Sequence, residues 1–162
     1  VFPITDLAGQ VVELYGRKIT SGLKKGLSRH LYLPGPHQGV WNWEGLVKGE
    51  DVVLCESILD AASFWCDGFR NVTASYGTRG FTKDHLAVFK EFGVRRVLIA
   101  YDRDDSGDAA SQILAGKLAK EELEVFRVQF PKGMDANEYA QSMKPAEKAL
   151  DLVLRKAVWL AG

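Results

Sequence analysis

Net charge is what this chain lacks first: 21 Lys and Arg balance 21 Asp and Glu over 162 residues. No global field draws it to nucleic acid or to an acidic surface, so any such affinity has to come from local clusters. Cysteine is also scarce. Cys55 and Cys66 are the only two; they stand too far apart for a CxxC pair, and no second Cys or His pair completes a zinc site. Each lies in apolar sequence, so both read as buried free thiols suited to a reducing cytoplasm rather than as a disulfide. No apolar run approaches a membrane span, and no signal-peptide pattern is present. The first residue is Val1 rather than Met, so a segment of a longer protein is expected. The length allows one domain, or one plus an extension, with a substantial core.

What is there is organised around Val97-Leu-Ile-Ala-Tyr-Asp102-Arg-Asp104-Asp105-Ser-Gly107-Asp-Ala-Ala110. A continuous apolar run stops at two acids spaced two apart, and a helical pattern follows. A buried strand of a parallel sheet reads this way, apolar on both faces. Ligands in such sheets sit beyond the carboxyl ends of the strands, where Asp102 and Asp104 fall. Side chains two apart on an extended segment leave on the same side, so both carboxylates can converge. Converging carboxylates repel unless a proton or a cation intervenes. Oxygen ligands around a magnesium ion, with room for a phosphate, are the economical reading.

Ahead of this stretch, residues 2–19 predict a β-hairpin with its turn at Asp6-Leu-Ala-Gly9. Between Arg17 and Arg29 stand Lys18, Lys24 and Lys25, with glycines and serines among them, and no acid occurs between Glu13 and Glu44. This is an exposed basic loop, either simply solvated or tracking phosphates beside a nucleic-acid groove. His30 to Leu33 returns as a strand that Pro34-Gly-Pro36 breaks. Trp41 and Trp43 pack the hairpin onto the main body or stack on bases. Gly49-Glu-Asp marks a boundary, giving a β-rich subdomain at 1–48, a repetitive domain at 49–143 and a C-terminal helical segment at 144–162.

Strands are expected at 52–56, 71–76, 97–102 and 125–130. Helices are expected at 57–67, from Thr82 to about Phe92, from Ser106 to about Leu123, from Asp135 and from Pro145. The last carries Leu150, Val153, Leu154, Ala157 and Val158 on one face. Strand–helix alternation gives an α/β fold with a mainly parallel four-stranded sheet flanked by helices, and right-handed crossovers bring the strand ends to one edge.

Several acids have ordinary explanations. Ser57-x-x-Asp60 and Asp135-x-x-Glu138 fit helix capping boxes, and Asp105-x-x-Asp108 fits one too. Asp102 and Asp104 are placed less well for capping than Asp105 or Ser106. Yet separate strand-to-helix junctions deliver acids to what is one edge, which caps alone do not require.

Glu56-Ser-Ile-Leu-Asp60, Gly77-Thr78, Tyr101-Asp102-Arg-Asp104-Asp105-Ser-Gly107 and Gly133-Met-Asp135-Ala-Asn137-Glu138 together resemble a TOPRIM domain. That domain is shared by bacterial-type DNA primases, type IA and II topoisomerases, and some nucleases and recombination proteins. The spacing and Pro131-Lys-Gly-Met-Asp135 are most similar to the primases, and Pro3-Ile-Thr-Asp-Leu-Ala-Gly9 with Gly16-Arg17 resembles the β-rich subdomain ahead of it in primase cores. By that resemblance Glu56, Asp60, Asp102, Asp104 and Asp135 match the acidic cluster that binds Mg2+ or Mn2+, and Arg17 matches a basic position used for template or nucleotide. Where primases carry a second acid after the Asp135 position this chain has Asn137, which keeps an oxygen ligand and drops a charge. The lysines expected further along the N-terminal subdomain are not matched.

The resemblance implies primer synthesis on single-stranded DNA from nucleoside triphosphates, in which a 3′-hydroxyl attacks an α-phosphate and pyrophosphate leaves. On this reading Asp102 and Asp104 hold the principal ion, Asp135 and Asp60 support a second, and Glu56 ligates metal or acts as general base. Arg17, Lys24, Lys25 and Arg29 track phosphates. A replicative helicase, or a helicase domain of the parent protein, is a further implied partner. Two rivals stand beside it: a TOPRIM nuclease using the same acids for hydrolysis, and a degenerate module that only docks nucleic acid or protein. Tyr15, Tyr32, Tyr76, Tyr101 and Tyr139 have no setting that marks a strand-transferring tyrosine.

Overall fold

The computed structural model describes residues 1–162 and holds two sheets. Phe2–Thr5 (β1), Val11–Arg17 (β2) and His30–Tyr32 (β3) form an antiparallel sheet in the order β1-β2-β3. Asp6 fixes the first turn by accepting from the backbone N–H groups of Ala8 (2.9 Å) and Gln10 (3.0 Å), the local bonding that suits Asp to turns. Buried Glu13 accepts from the Leu33 N–H at 2.8 Å and lies 3.1 Å from His37 Nδ1, which holds the returning chain against β2.

The second sheet contains Val52–Cys55 (β4), Val72–Ala74 (β5), Arg96–Ala100 (β6), Glu124–Arg127 (β7) and Val158–Ala161 (β8) in the order β5-β4-β6-β7-β8. The first four are parallel and β8 runs antiparallel to β7. Helices Ile58–Cys66 (α1), Lys83–Glu91 (α2), Asp105–Ala119 (α3), Ala136–Ser142 (α4) and Ala146–Arg155 (α5) cover it. Both faces are therefore buried, which is why β4 and β6 read as unbroken apolar runs. Alternation along β4 divides the core: Val53 and Cys55 pack with Phe64, Tyr139 and Leu150, while Val52 and Leu54 pack with Phe89, Leu114 and Leu118. Ile4 and Tyr15 join the first group, so the small sheet leans on the α1 side.

Polar ties lock the two sheets together. Thr73 Oγ1 donates to the Trp41 carbonyl at 2.6 Å, and Asn42 Nδ2 donates to the carbonyls of Arg70 and Val72. Half-buried Trp41 packs on the core, and Trp43 donates from Nε1 to Thr5 Oγ1 at 2.9 Å. Both tryptophans thus serve packing between the sheets. No helix is long and apolar enough to cross a membrane.

Four expectations need correction. The main sheet has five strands, not four, because α5 ends at Arg155 and residues 158–161 pair with β7, Phe126 against Trp159 and Arg127 against Val158. The helical spacing of Leu150 to Ala157 runs into Val158 by coincidence, whereas the open edge of β7 offers backbone partners that a longer helix would forgo. Helix α3 begins at Asp105 and ends at Ala119, not at Ser106 and near Leu123. Cys55 is buried, but Cys66, in the last turn of α1, is exposed; both are free thiols.

Candidate metal centre

From β4 the chain passes through α1 to β5 on one side, then returns past β4 to β6 on the other. Strand order reverses between β4 and β6, and at such a switch point a crevice opens beyond the carboxyl ends. Cys55 and Ala100 are paired across the two strands, so the residues that follow, Glu56 and Asp102, flank that crevice. A recess of about 550 Å³ lies there, bordered by Glu56, Asp60, Asp102, Asp135 and Glu138 on one side and by Arg17 and His30 of the small sheet on the other.

Three of these acids converge. Asp60, Asp102 and Asp135 each offer a carboxylate oxygen, and the three oxygens lie within 4.8 Å of one another. The capping predicted from sequence is part of how they are held. Ser57 caps α1 and its hydroxyl donates to Asp60 Oδ2 at 2.5 Å, while the Asn137 N–H donates to Asp60 Oδ1 at 3.2 Å. Asp135 caps α4, accepting from the Glu138 N–H at 2.7 Å, in a capping box with Glu138. A capping carboxylate keeps one oxygen for the helix and presents the other outward.

Backbone bonds bring the loops to one place. The Arg103 N–H donates to the Met134 carbonyl (2.9 Å), and the Gly133 N–H donates to the Arg103 carbonyl (2.8 Å). Asp102 and Asp135 therefore sit on two loops paired like a pair of strands. Gly133 takes a φ of 84°, a conformation that glycine adopts without cost. Gly107 answers a different need: a Cβ there would come within 2.1 Å of the Asp102 carbonyl oxygen. The Asp-x-Asp-x-x-Gly spacing thus packs the first turn of α3 directly against the acid-bearing loop.

The electrostatics are those of uncompensated charge. Burial, then repulsion from Glu56, Asp60 and Asp135, pushes the Asp102 carboxyl up to about 7. Burial and Asp135 raise Asp60 to about 6 against the opposing hydrogen bonds from Ser57 and Asn137. Glu56 is raised as well, chiefly by burial, and its Oε2 is buried with no hydrogen-bond partner. An all-oxygen donor set, crowded carboxylates and one unpartnered carboxylate oxygen fit a hard divalent cation of the Mg2+ or Mn2+ kind.

Not every residue singled out from sequence lies in this group. Asp104 is exposed and outside the converging triad; it is the N-cap of α3, accepting from the Gly107 N–H at 2.7 Å. The expectation that Asp104 is a poor cap is therefore overturned, because α3 starts one residue earlier than its sequence pattern suggests. Its charge still reaches Glu56. Arg17 borders the recess, whereas exposed Lys24, Lys25 and Arg29 are not among its walls. The Asn137 side chain is engaged by Gln141 Nε2, and what it gives the site is its N–H to Asp60.

Two residues escaped the sequence reading as site components. His30 pairs with Arg17 across β2 and β3, and its Nδ1 lies 2.7 Å from Tyr15 Oη. Arg127 is 3% exposed and donates to the carbonyls of Tyr101 and Asp102 and to Asp108 Oδ1. Its signal was in plain view: one Arg inside the apolar strand Val125-Phe-Arg-Val128.

Comparisons with known proteins agree with this architecture. A sequence model of the Toprim-like family matches residues 53–140, more than half of the chain. The DNA primase of Clostridium acetobutylicum is 28% identical over 169 residues, covering 94% of this chain and 27% of that protein. The DNA primase of Listeria monocytogenes is 29% identical over 176 residues, covering 99% and 26%. The chain thus spans about a quarter of the length of these curated relatives. Among solved structures, the Aquifex aeolicus primase (zinc-binding and RNA polymerase domains) superposes with a TM-score of 0.80 at 23% identity, over 98% of this chain and 40% of that one. A DnaG primase catalytic domain bound to single-stranded DNA gives 0.80 at 18% identity, over 98% and 51%. At these identities the superpositions speak for the fold.

Proposed function

Given that the chain belongs to the Toprim-like family, we propose that it is the metal-dependent part of a bacterial-type DNA primase, extending RNA primers on single-stranded DNA from nucleoside triphosphates in the cytoplasm. The observation that carries this reading is the convergence of Asp60, Asp102 and Asp135 on one point beside Arg17. The primase relatives and the single-stranded-DNA-bound neighbour supply the substrate class.

Asp60, Asp102 and Asp135 would hold Mg2+ or Mn2+, with Glu56 facing the same recess. Bound there, the cation supplies charge neutralisation on phosphoryl oxygens and lowers the pKa of an attacking hydroxyl. The chain's own contribution is placement. Glu56, with a raised pKa and a free buried oxygen, is positioned to take the proton of the primer 3′-hydroxyl. Arg17, at the end of β2, faces the acids across the recess and would orient the phosphates of the incoming nucleotide. Lys24, Lys25 and Arg29, on the exposed loop, would follow template phosphates further out. Asp104 would act on the site through its charge and through the start of α3, and a helicase of the replication machinery would deliver the template.

The test is primer synthesis by the chain on single-stranded DNA with ribonucleotides and Mg2+ or Mn2+, beside a D102N/D135N variant. Labelled products that lengthen with the wild type and vanish with the variant support the reading. Metal-dependent shortening of an end-labelled strand would instead assign the same acids to hydrolysis. Metal binding with neither reaction would leave a docking module.

A further inference from the structure

We propose that Arg127 and Asp108 form a positioning pair that sets the separation of the metal-binding carboxylates by fixing the backbone on which Asp102 stands. This rests on the metal reading above and extends it to residues outside the acidic cluster.

The regular ladder between β6 and β7 ends where the Val128 N–H donates to the Ile99 carbonyl at 2.9 Å. Beyond that point β6 runs on into the crevice, and its carbonyls on the β7 side have no strand donor. Buried backbone acceptors need partners, and the Arg127 side chain supplies them. Nη1 donates to the carbonyls of Tyr101 (2.8 Å) and Ile99 (3.3 Å), and Nη2 donates to the carbonyl of Asp102 (2.8 Å) and to Asp108 Oδ1 (2.9 Å). A guanidinium is a rigid planar fork. Gripping two successive carbonyls with its two ends, it fixes the direction in which the Asp102 side chain leaves the loop.

Asp108 makes the buried cation tolerable. It lies on α3, it is 41% exposed, and the same Oδ1 also accepts from Arg103 Nη1 at 2.9 Å. Arg103 is the residue whose backbone pairs with Gly133 and Met134. One carboxylate therefore joins β7, the Asp102 loop and, through Arg103, the Asp135 loop. Burying this charge is costly, the more so because Nε finds no partner, so what the guanidinium gives the fold here is geometry rather than net stability. A hydrophobic residue at position 127 would pack as well and would leave the Asp102 loop without a clamp.

The experiment is Mn2+ binding, followed by the loss of the free-ion EPR signal, in wild type, R127K, R127M and D108N. Leu118→Ala serves as a control that weakens the core on the same face of the sheet, at the far end of α3 from Asp108. All are measured at a temperature where circular dichroism shows each chain folded. R127K and R127M should lose roughly 10–100-fold in affinity, the usual cost of removing a partner that orients a ligand. The lysine loses because a point charge cannot span two carbonyls. D108N should lose less, and L118A should bind like wild type despite a lower Tm. Wild-type affinity in R127K and R127M, or an equal loss in L118A, would overturn the proposal. If both Arg127 variants fail to fold, D108N on the exposed rim decides: unchanged affinity there overturns it. A wild type that binds no Mn2+ would instead sink the metal reading itself.

Discussion

The two rims of the parallel sheet each carry a recess walled partly by acids, about 550 Å³ at the carboxyl ends and about 640 Å³ at the amino ends, yet they treat charge in opposite ways. At the amino rim, Asp51 meets Arg96 at 2.9 Å and Asp151 meets Arg155 at 2.8 Å, and Arg70 beside them balances the remaining acid, Glu50. At the carboxyl rim Asp60, Asp102 and Asp135 face one another, and two of them are held well above the ordinary carboxylate range. Size does not distinguish the rims, and the larger recess is the neutral one. What distinguishes them is charge left uncompensated and braced by backbone hydrogen bonds, an arrangement that costs stability and so marks the working face.

The largest effect expected from breaking this contrast is on metal binding. D102N/D135N should weaken Mn2+ binding at least on the order of 100-fold, since losing even an outer partner can cost that much. D51N at the amino rim should leave the affinity unchanged in the same EPR titration. Equal losses at both rims would mean diffuse charge attraction rather than a site.

A graded effect on the same affinity follows from protons. Asp102 at about 7 and Asp60 at about 6 must lose them before they ligate. Mn2+ affinity should therefore rise as pH goes from 5 to 7.5, by up to roughly tenfold per pH unit for each proton displaced, and level off above both values. Calorimetry in buffers of different ionisation enthalpy would show the released protons. A flat profile would contradict the raised values.

The smallest effect is on stability, and its sign separates the rims. Because the folded chain holds the Asp102 proton more tightly than the unfolded chain does, the metal-free fold loses stability progressively as pH rises from about 4, and the loss is complete by about pH 7. D102N removes the whole of that cost at pH 8 and only a smaller part of it at pH 5, where the unfolded carboxyl is already ionised while the folded one keeps its proton. Metal-free Tm should rise at pH 8, on a scale of roughly 2–4 °C per kcal/mol of relieved repulsion. D51N, which deprives Arg96 of its partner, should lower Tm slightly at both pH values, as an exposed pair contributes about 0–1 kcal/mol.

Much of this was legible in the residues. The runs 52–56 and 97–102 declared buried parallel strands, which the structure shows at 52–55 and 96–100, and Ser57, Thr82 and Asp135 declared helix starts that the structure places where expected. The rim that gathers Glu56 and Asp102 followed from strand–helix alternation with right-handed crossovers. What stayed hidden depended on partners remote in sequence. β8 exists because β7 has an edge to fill, and four residues after a helix carry no pattern of their own. Asp104 stands in a row of three possible caps, Asp104-Asp105-Ser106. The structure uses Asp104, whose carboxylate accepts from the N–H of Gly107, the residue packed against the Asp102 carbonyl. Arg127 acts on carbonyls 25 to 28 residues away, beyond the reach of any local rule.

The double hydrogen bond between Arg103 and the Gly133–Met134 turn carries a consequence for how this protein can diverge. Apart from the two acids, Gly133 and Arg103, side chains on either loop are free to drift, because the bonds joining the loops belong to the main chain. The number of residues in each loop is not, since one insertion or deletion would slide the pairing and part Asp102 from Asp135. Descendants that keep the chemistry should therefore vary in letters there and hold to a fixed count, while the turns and glycines of 18–29 absorb the gaps.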